Sequence, residues 1–120
     1  MKVIMFKPIF CKAVKSGKKR MTIRPVRKYP IYEGEEISLR RWKELPYRSD
    51  QITLLETKCK ETRSIIIAED HINYGGTIFK KNDGQIDQFA RQDGFKDFSD
   101  MIKWFKNMHG LPFYGVCIRW

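Results

Sequence analysis

The first 28 residues contain ten lysines or arginines, and no aspartate or glutamate occurs before Glu33. Because this stretch contains the basic run from Gly17 to Arg24, we expect its charge to be concentrated at one site. Residues 1–63 carry 17 basic and 7 acidic side chains, whereas residues 64–120 carry 7 of each, so the whole net charge of +10 arises in the first half. This asymmetry predicts a polyanionic partner.

Length and composition indicate one folded domain spanning residues 1–120. Apolar residues make up 42% of the chain and aromatic residues 13%, which is too much for a disordered basic tail. The three cysteines are widely spaced and form no C-x-x-C pair, which argues against disulfides and zinc and favours a reducing cytoplasm. No apolar segment is long enough to predict a signal peptide or a membrane span, and no motif indicates a metal or another cofactor.

Hydrophobic periodicity and turn residues predict an alternation of strands and helices. We expect a helix over Pro8–Ser16 that stops at Gly17, and strands over residues 3–6, Met21–Pro25 and Glu36–Trp42. Residues 52–68 indicate one bent strand or two paired strands, and Thr77–Lys80 lies in an expected hairpin. We then expect a helix over residues 85–92, a second one from its N-cap Asp97 to Gly110, and a final strand over residues 113–120.

This order of elements is typical of an α+β fold, namely a small mixed β-barrel or curled sheet with helices packed against it. Within Met21–Pro25, strand alternation places Met21 and Ile23 on one face and Thr22 and Arg24 on the other. One face of this strand is therefore expected to pack, and the other to be polar.

The run from Gly17 to Arg24 has the composition of an anion-binding site. Gly17 lets the backbone turn and approach a ligand, three cations follow it, and Thr22 and Arg24 then share one strand face. A solvated basic turn between a helix and a strand would have the same composition. The spacing alone does not choose between the two interpretations.

The spacing Gly-x-Lys-x-x-Thr-x-Arg after a first helix, followed by Gly34-Glu35-Glu36 before a strand, resembles the ASCH domain of the PUA-like superfamily. The segment from Phe89 to Phe95, the helix after it and the terminal apolar strand resemble the later part of such domains. The resemblance implies a β-barrel with flanking helices, a cleft beside the motif and a function related to RNA.

One branch of that family resembles this chain in size and motif and removes the acetyl group from N4-acetylcytidine. By motif position, the resemblance implies that Lys19, Thr22 and Asp93 are the catalytic residues. Lys19 would activate the Thr22 hydroxyl or a water, and Asp93 would protonate the departing amine. Asp93 stands where the family has glutamate, so we expect it to reach its partner only if the backbone moves closer. An Asp-Gly turn between two helices is the structural alternative for Asp93.

Other functions remain open. Another part of the family resembles a ribonuclease, which would need a base and several cations, and Lys19, Tyr32, Arg24 and Arg40 could supply them. A non-catalytic module would hold RNA phosphate and a base in the same cleft, and a protein-interaction domain would turn its basic face to an acidic partner.

We expect RNA or a modified nucleoside as the partner, and a monomer as the simpler state. Besides the catalytic residues, the predicted anion and nucleic-acid contacts are Gly17, Lys18, Arg20, Arg24, Arg27, Lys28, Arg40, Tyr32 and Trp42. Tyr32 and Trp42 are included because unpaired bases stack on aromatic rings. His71 and His109 are isolated, and we expect structural roles for both, since a cation is favourable near a helix C-terminus such as that before His109.

Overall fold

Two open β-sheets and three helices form the fold in the computed structural model, which describes all residues 1–120. The smaller sheet has the order β1-β3-β4, with β1 at Lys2–Met5, β3 at Glu36–Trp42 and β4 at Gln51–Lys58. The larger sheet consists, in spatial order, of β2 (Met21–Pro25), β8 (Phe113–Arg119), β5 (Glu61–Ile67), β6 (His71–Tyr74) and β7 (Thr77–Lys80). β1 lies parallel to β3, and every other neighbouring pair is antiparallel.

The three helices are α1 (Pro8–Ser16), α2 (Gly84–Gln92) and α3 (Phe98–Met108). α1 begins at Pro8 and ends where Gly17 adopts a left-handed conformation, with φ 82°, and donates its N–H to the Val14 carbonyl. α2 and α3 begin after Asp83 and Asp97, and each carboxylate accepts a backbone N–H of the first turn. None of the three helices is long and apolar enough to cross a membrane.

The two faces of the larger sheet border separate hydrophobic cores. α2 and α3 pack on one face, over a core of 15 buried residues that includes Ile65 and Phe105. The smaller sheet and α1 pack on the other face, over a core of nine buried residues that includes Ile37 and Ile118. Phe10 of α1 contacts both cores, so this helix lies where they meet.

The structure confirms the α+β fold and most of the predicted elements. The helix at Pro8–Ser16 and the strands at Met21–Pro25 and Glu36–Trp42 have the predicted bounds. These elements have strong local signals, since proline and glycine delimit the helix and alternation marks the strands.

The β-barrel, one of the two expected arrangements, does not form, because both sheets are open. Residues 52–68 do form two strands, but β4 pairs with β3, whereas β5 pairs with β8 and β6. Between them lie Cys59, which is buried in the smaller core, and Lys60, whose N–H donates to the Arg119 carbonyl. Because of this turn, the consecutive strands β4 and β5 belong to different sheets. The outer edges of the two sheets, at β1, β4, β2 and β7, are unpaired.

Gly115 allows β2 to lie close to β8. A Cβ at this position would collide with the carbonyl oxygen of Arg24 and with the ring of Phe113. Because β2 is an edge strand, β8 is its only partner in the sheet. The position of every side chain on β2 therefore depends on this close contact.

We expect Gly115→Ala to lower the free energy of unfolding by about 2 kcal/mol, because overpacking forces the backbone apart. Urea denaturation followed by circular dichroism measures this change. The matched control is Gly84→Ala at the start of α2, where a Cβ would meet nothing within 4 Å. That variant should be as stable as the wild type or slightly more stable. Equal losses in the two variants would contradict the assigned contact.

Candidate functional site

A cavity of about 180 Å³, here called the β2 cavity, lies beside the open edge of β2. Its walls come from the end of β1, from α1, from β2, from the turn after α2 and from α3. The aromatic rings in its lining belong to Phe6, Phe10, Phe95, Trp104 and Phe105. The charged and polar side chains in its lining are Lys7, Lys19, Thr22, Arg24, Asp93 and His109. Flat apolar walls with a few polar groups are typical of small-molecule sites.

Lys19 is the cation that the fold buries. Its backbone N–H donates to the Ala13 carbonyl at 3.0 Å, which holds the chain against α1 after Gly17. The side chain is 3% exposed, and its Nζ donates to Asp93 Oδ1 at 2.5 Å and to the Asp93 backbone carbonyl. Nζ also lies 4.9 Å from the centre of the Phe10 ring. Of the three cations that follow Gly17, Lys19 is the one that enters the β2 cavity.

Asp93 reaches Lys19 because its backbone lies close to the lysine. Asp93 ends α2, and both its carboxylate and its carbonyl oxygen accept hydrogen bonds from Lys19. Gly94 follows with φ 95°, and a Cβ there would lie 3.3 Å from the Phe10 ring. The Asp-Gly turn and the ion pair are therefore one structure, in which the aspartate side chain reaches Lys19 directly.

Burial dominates the ionisation of this pair. It lowers the pKa of Lys19 and raises the pKa of Asp93, while the attraction between the two partners opposes both shifts. Burial also lowers the pKa of Arg24 to about 10. Burial therefore favours the uncharged form of each group, whereas the contact between them favours the charged forms.

Thr22 and Arg24 lie on the same face of β2, as alternation predicts. The Thr22 hydroxyl oxygen accepts from Arg24 Nε at 3.0 Å, and Arg24 Nη2 donates to the Met5 carbonyl at 2.6 Å. The guanidinium also lies 4.9 Å from the centre of the Phe6 ring. No hydrogen bond joins Thr22 to Lys19. Because Thr22 accepts from a cation, its own proton is free to be donated, and the positive charge favours loss of that proton.

The backbone of Ile23 adds a donor and an acceptor at the same place. Trp120 N–H donates to the Arg20 carbonyl, so the backbone N–H and C=O of Arg20 face β8. In an antiparallel pair this direction alternates along the strand, so Thr22 and Arg24 also turn these groups towards β8. The backbone N–H and C=O of Ile23 therefore point away from β8, towards the open edge beside the cavity. A planar ligand can bind to these two groups as a further strand would.

His109 lines the β2 cavity, which the sequence did not indicate. Its ring packs against those of Phe113 and Trp104, with centroid distances of 4.8 Å and 5.8 Å. We expected the helix end to favour a cation here. Instead, partial burial and then the charges of Lys7 and Arg24 lower the pKa of His109, which favours the neutral imidazole.

The remaining predicted anion-binding residues do not join this site. Gly17 and Arg20 line a separate groove at the end of α1, and Lys18 is exposed beside them. Arg27 is half-buried and lines a small cavity of about 80 Å³, while Lys28 is exposed. The basic run therefore supplies side chains to several places.

Arg40, Tyr32 and Trp42 also lie outside the β2 cavity. The Arg40 guanidinium donates to a hydroxyl and an amide of the smaller sheet. Tyr32 is 62% exposed and has Lys2 Nζ 5.5 Å from its ring centre. Trp42 packs on Tyr47 with a centroid distance of 5.1 Å. The two predicted stacking residues, Tyr32 and Trp42, therefore do not line this cavity.

The aromatic walls were missing from the predicted site. Phe6 and Phe10 carry no signal that separates them from ordinary core residues. Trp104 and Met108 lie four residues apart on α3, along one edge of its apolar stripe, and both line the cavity. That spacing was the available signal, because residues four apart share a helix face.

The structure offers no thiolate and no cluster of metal-ligating side chains. Burial raises the pKa of Cys117 to about 12, and it also raises the pKa values of Cys11 and Cys59. The reactive form of cysteine is the thiolate, so these thiols are poor nucleophiles at neutral pH. No group of three or more His, Cys, Asp or Glu side chains lies close enough to hold a metal ion.

Comparison with known proteins finds no relative of this chain. It matches no protein-family model, no curated protein and no solved structure.

We expect Lys19→Met and Asp93→Asn each to lower the free energy of unfolding by about 3–5 kcal/mol, because each leaves a buried partner uncompensated. The double variant should lose much less than the sum of the two, as measured by urea denaturation. Lys106→Met is the control, since its pair with Glu69 has side chains 65% and 67% exposed. That control should change stability by no more than about 0.5 kcal/mol. Additive losses would contradict a coupled buried pair.

We expect the His109 ring to titrate at a lower pH than an exposed histidine, and Lys7→Ala to raise its pKa by removing a nearby cation. NMR of the imidazole protons across acidic pH measures both. Because the unfolded chain takes up this proton more readily than the folded chain, the stability contribution of His109 falls as the pH drops. Lys12→Ala, on the outer face of α1, should leave the titration unchanged, and an equal shift in both variants would contradict a local effect.

Proposed function

We propose that this chain is an ASCH-type domain of the PUA-like superfamily that binds a modified pyrimidine nucleoside and hydrolyses its acyl amide, with N4-acetylcytidine as the model substrate. The observation that carries the proposal is that Lys19, Asp93 and Thr22 line one aromatic cavity. The family resemblance assigns a base, an acid and a hydroxyl to these three positions.

The lining of the β2 cavity suits a flat ring with polar edges. Phe6, Phe10 and Trp104 offer surfaces on which a base can stack. The backbone N–H and C=O of Ile23 offer a donor and an acceptor to the edge of that base, and a buried polar edge needs such partners. A pyrimidine base has both a stacking face and a donor–acceptor edge.

In the proposed reaction, the Lys19–Asp93 pair moves the protons. With both groups uncharged, Lys19 accepts the proton of the attacking nucleophile, and Asp93 donates its proton to the departing exocyclic amine. The pair then holds an ammonium and a carboxylate, and transfer of one proton from Lys19 to Asp93 restores it. Burial lowers the pKa of Lys19 and raises that of Asp93, so it reduces the cost of reaching the uncharged state from the ion pair by transfer of one proton.

Thr22 is the proposed nucleophile, or it orients a water that acts in its place. Its oxygen forms a bond to the acyl carbon as the carbon–nitrogen bond breaks, and the electron pair of that bond goes to the amine. Water then hydrolyses the acyl ester and releases the carboxylic acid. Arg24 Nε lies 3.0 Å from Thr22 Oγ1, so its positive charge lies beside the attacking atom and would stabilise the acyl carbonyl oxygen as that oxygen becomes negative.

Binding without hydrolysis is the second candidate, and one observation favours it. Lys19 and Thr22 are each hydrogen-bonded to a different partner and not to each other. In this arrangement the cavity would hold a base as a binding module does. A ribonuclease has less support, because Tyr32 and Arg40 lie outside the cavity.

We expect the wild-type protein to convert N4-acetylcytidine to cytidine, as measured by liquid chromatography. Thr22→Val removes the hydroxyl and keeps the side-chain shape, so it should lower the rate at least about 100-fold, while Thr22→Ser should retain much of it. Asp93→Asn and Lys19→Met should each cause a similar loss because each removes one proton carrier.

Lys103→Met, which removes an exposed lysine of α3, is the control and should keep the wild-type rate. Circular dichroism establishes that each variant is folded. If the wild-type protein consumes no N4-acetylcytidine, hydrolysis is ruled out for this substrate. Calorimetric titration with cytidine then tests the binding candidate, which requires that Ile23 and the aromatic walls still hold the base.

A further inference from the structure

A groove of about 330 Å³, here called the α1 groove, lies between the last turn of α1 and β4. Three cations, Lys15, Arg20 and Lys60, line it, and no aspartate or glutamate does. Leu55 and Thr57 of β4 complete the opposite side. The groove is thus distinct in position and charge from the β2 cavity.

None of the three cations has a charged partner. Lys15, Arg20 and Lys60 take part in no ion pair, and all three are exposed. Among their side chains the one hydrogen bond runs from Arg20 Nε to the Gly17 carbonyl, at 3.3 Å. Their combined charge exceeds the roughly half unit of negative charge at the C-terminal end of a helix. The groove is therefore strongly positive and open to an external anion.

One lining residue of the groove, Trp120, carries the one buried polar side-chain atom of the protein that lacks a partner. Trp120 is 6% exposed and lines the groove, and its indole Nε1 has no hydrogen-bond acceptor. The ring of Phe6 packs edge-on against the indole at 5.9 Å and holds it in place. A buried indole N–H normally has an acceptor, so this donor would gain one from a ligand oxygen that reached it.

Neighbouring cations of the basic run have different surroundings. Lys19 enters the β2 cavity, where Asp93 neutralises it, whereas Arg20 lines the α1 groove. Lys18 is exposed between them in the chain. Arg20 at the groove and the exposed Lys18 are therefore the cations among these three that no acid neutralises.

We propose that the α1 groove binds phosphate groups of a single-stranded nucleic acid. Lysine and arginine are the side chains that hold phosphate oxygens, and the indole N–H supplies a further donor. Leu55 and Thr57 place an apolar surface and a hydroxyl beside the cations, which suits the sugars between successive phosphates. With phosphate groups held in the groove, the protein would bind a modified nucleoside within a strand more tightly than the free nucleoside. That preference rests on the proposed function, whereas phosphate binding at the groove does not.

The test is the salt dependence of binding to a short fluorescein-labelled oligouridine, measured by fluorescence anisotropy. The groove variant is Lys15→Ala/Arg20→Ala/Lys60→Ala. The matched control, Lys80→Ala/Lys96→Ala/Lys103→Ala, removes the same charge from exposed positions outside the groove. Each phosphate contact with a single strand contributes roughly 0.7 to the slope of log association constant against log salt, so the groove variant should lose about 2 from that slope. Its affinity at low salt should fall at least about tenfold, and the control should change much less.

Equal losses in the two variants would overturn the proposal, because they would mean a diffuse attraction by net charge. Absence of binding by the wild-type protein would overturn it too. Trp120→Phe keeps the ring and removes the N–H, so weaker binding supports the indole as a contact and unchanged binding removes it from the site. Hydrolysis of free N4-acetylcytidine by the wild-type protein needs no phosphate contact, so that assay fails or succeeds independently of the groove.

Discussion

The buried pair of Lys19 and Asp93 is the interaction on which the candidate site depends. A lysine that is 3% exposed is strongly unfavourable alone, so this cation can be buried only with an acid beside it. The pair joins the segment after α1 to the end of α2, across 74 residues of sequence. It therefore brings two parts of the chain together and gives the β2 cavity a proton donor and a proton acceptor in contact.

The open sheet matters as much as the pair. In a closed barrel, β2 would have a partner on both sides, and its backbone hydrogen-bonding groups would be used in the sheet. Here β8 is its one partner, so the other side of β2 is free to border the cavity. Side chains from both faces of the strand, such as Thr22 and Ile23, can then meet one ligand. The unpaired edge of β2 therefore accounts both for the absence of a barrel and for the place of this cavity.

Local physics decided which features could be predicted from the sequence. Proline and glycine delimit α1 and alternation marks β2, so their bounds and the shared face of Thr22 and Arg24 were predictable. The sheet that each of β4 and β5 joins depends on long-range pairing, which local patterns do not encode. The partner of Lys19 came from a family resemblance, since nothing in the spacing relates it to Asp93. The place of His109 depended on packing between α3 and β8, and it could not be read from a helix-end rule.

The basic run shows how a fold divides one kind of charge between two physical roles. Lys19 and Asp93 together add no net charge, so the positive charge in the lining of the β2 cavity comes from Lys7 and Arg24. Long-range attraction falls to exposed cations such as Lys15 and Arg20, which no acid neutralises. A ligand that carries both a neutral base and phosphate groups would use the two regions together. Polar chemistry inside the cavity and electrostatic attraction outside it therefore require different residues, even where those residues are adjacent in sequence.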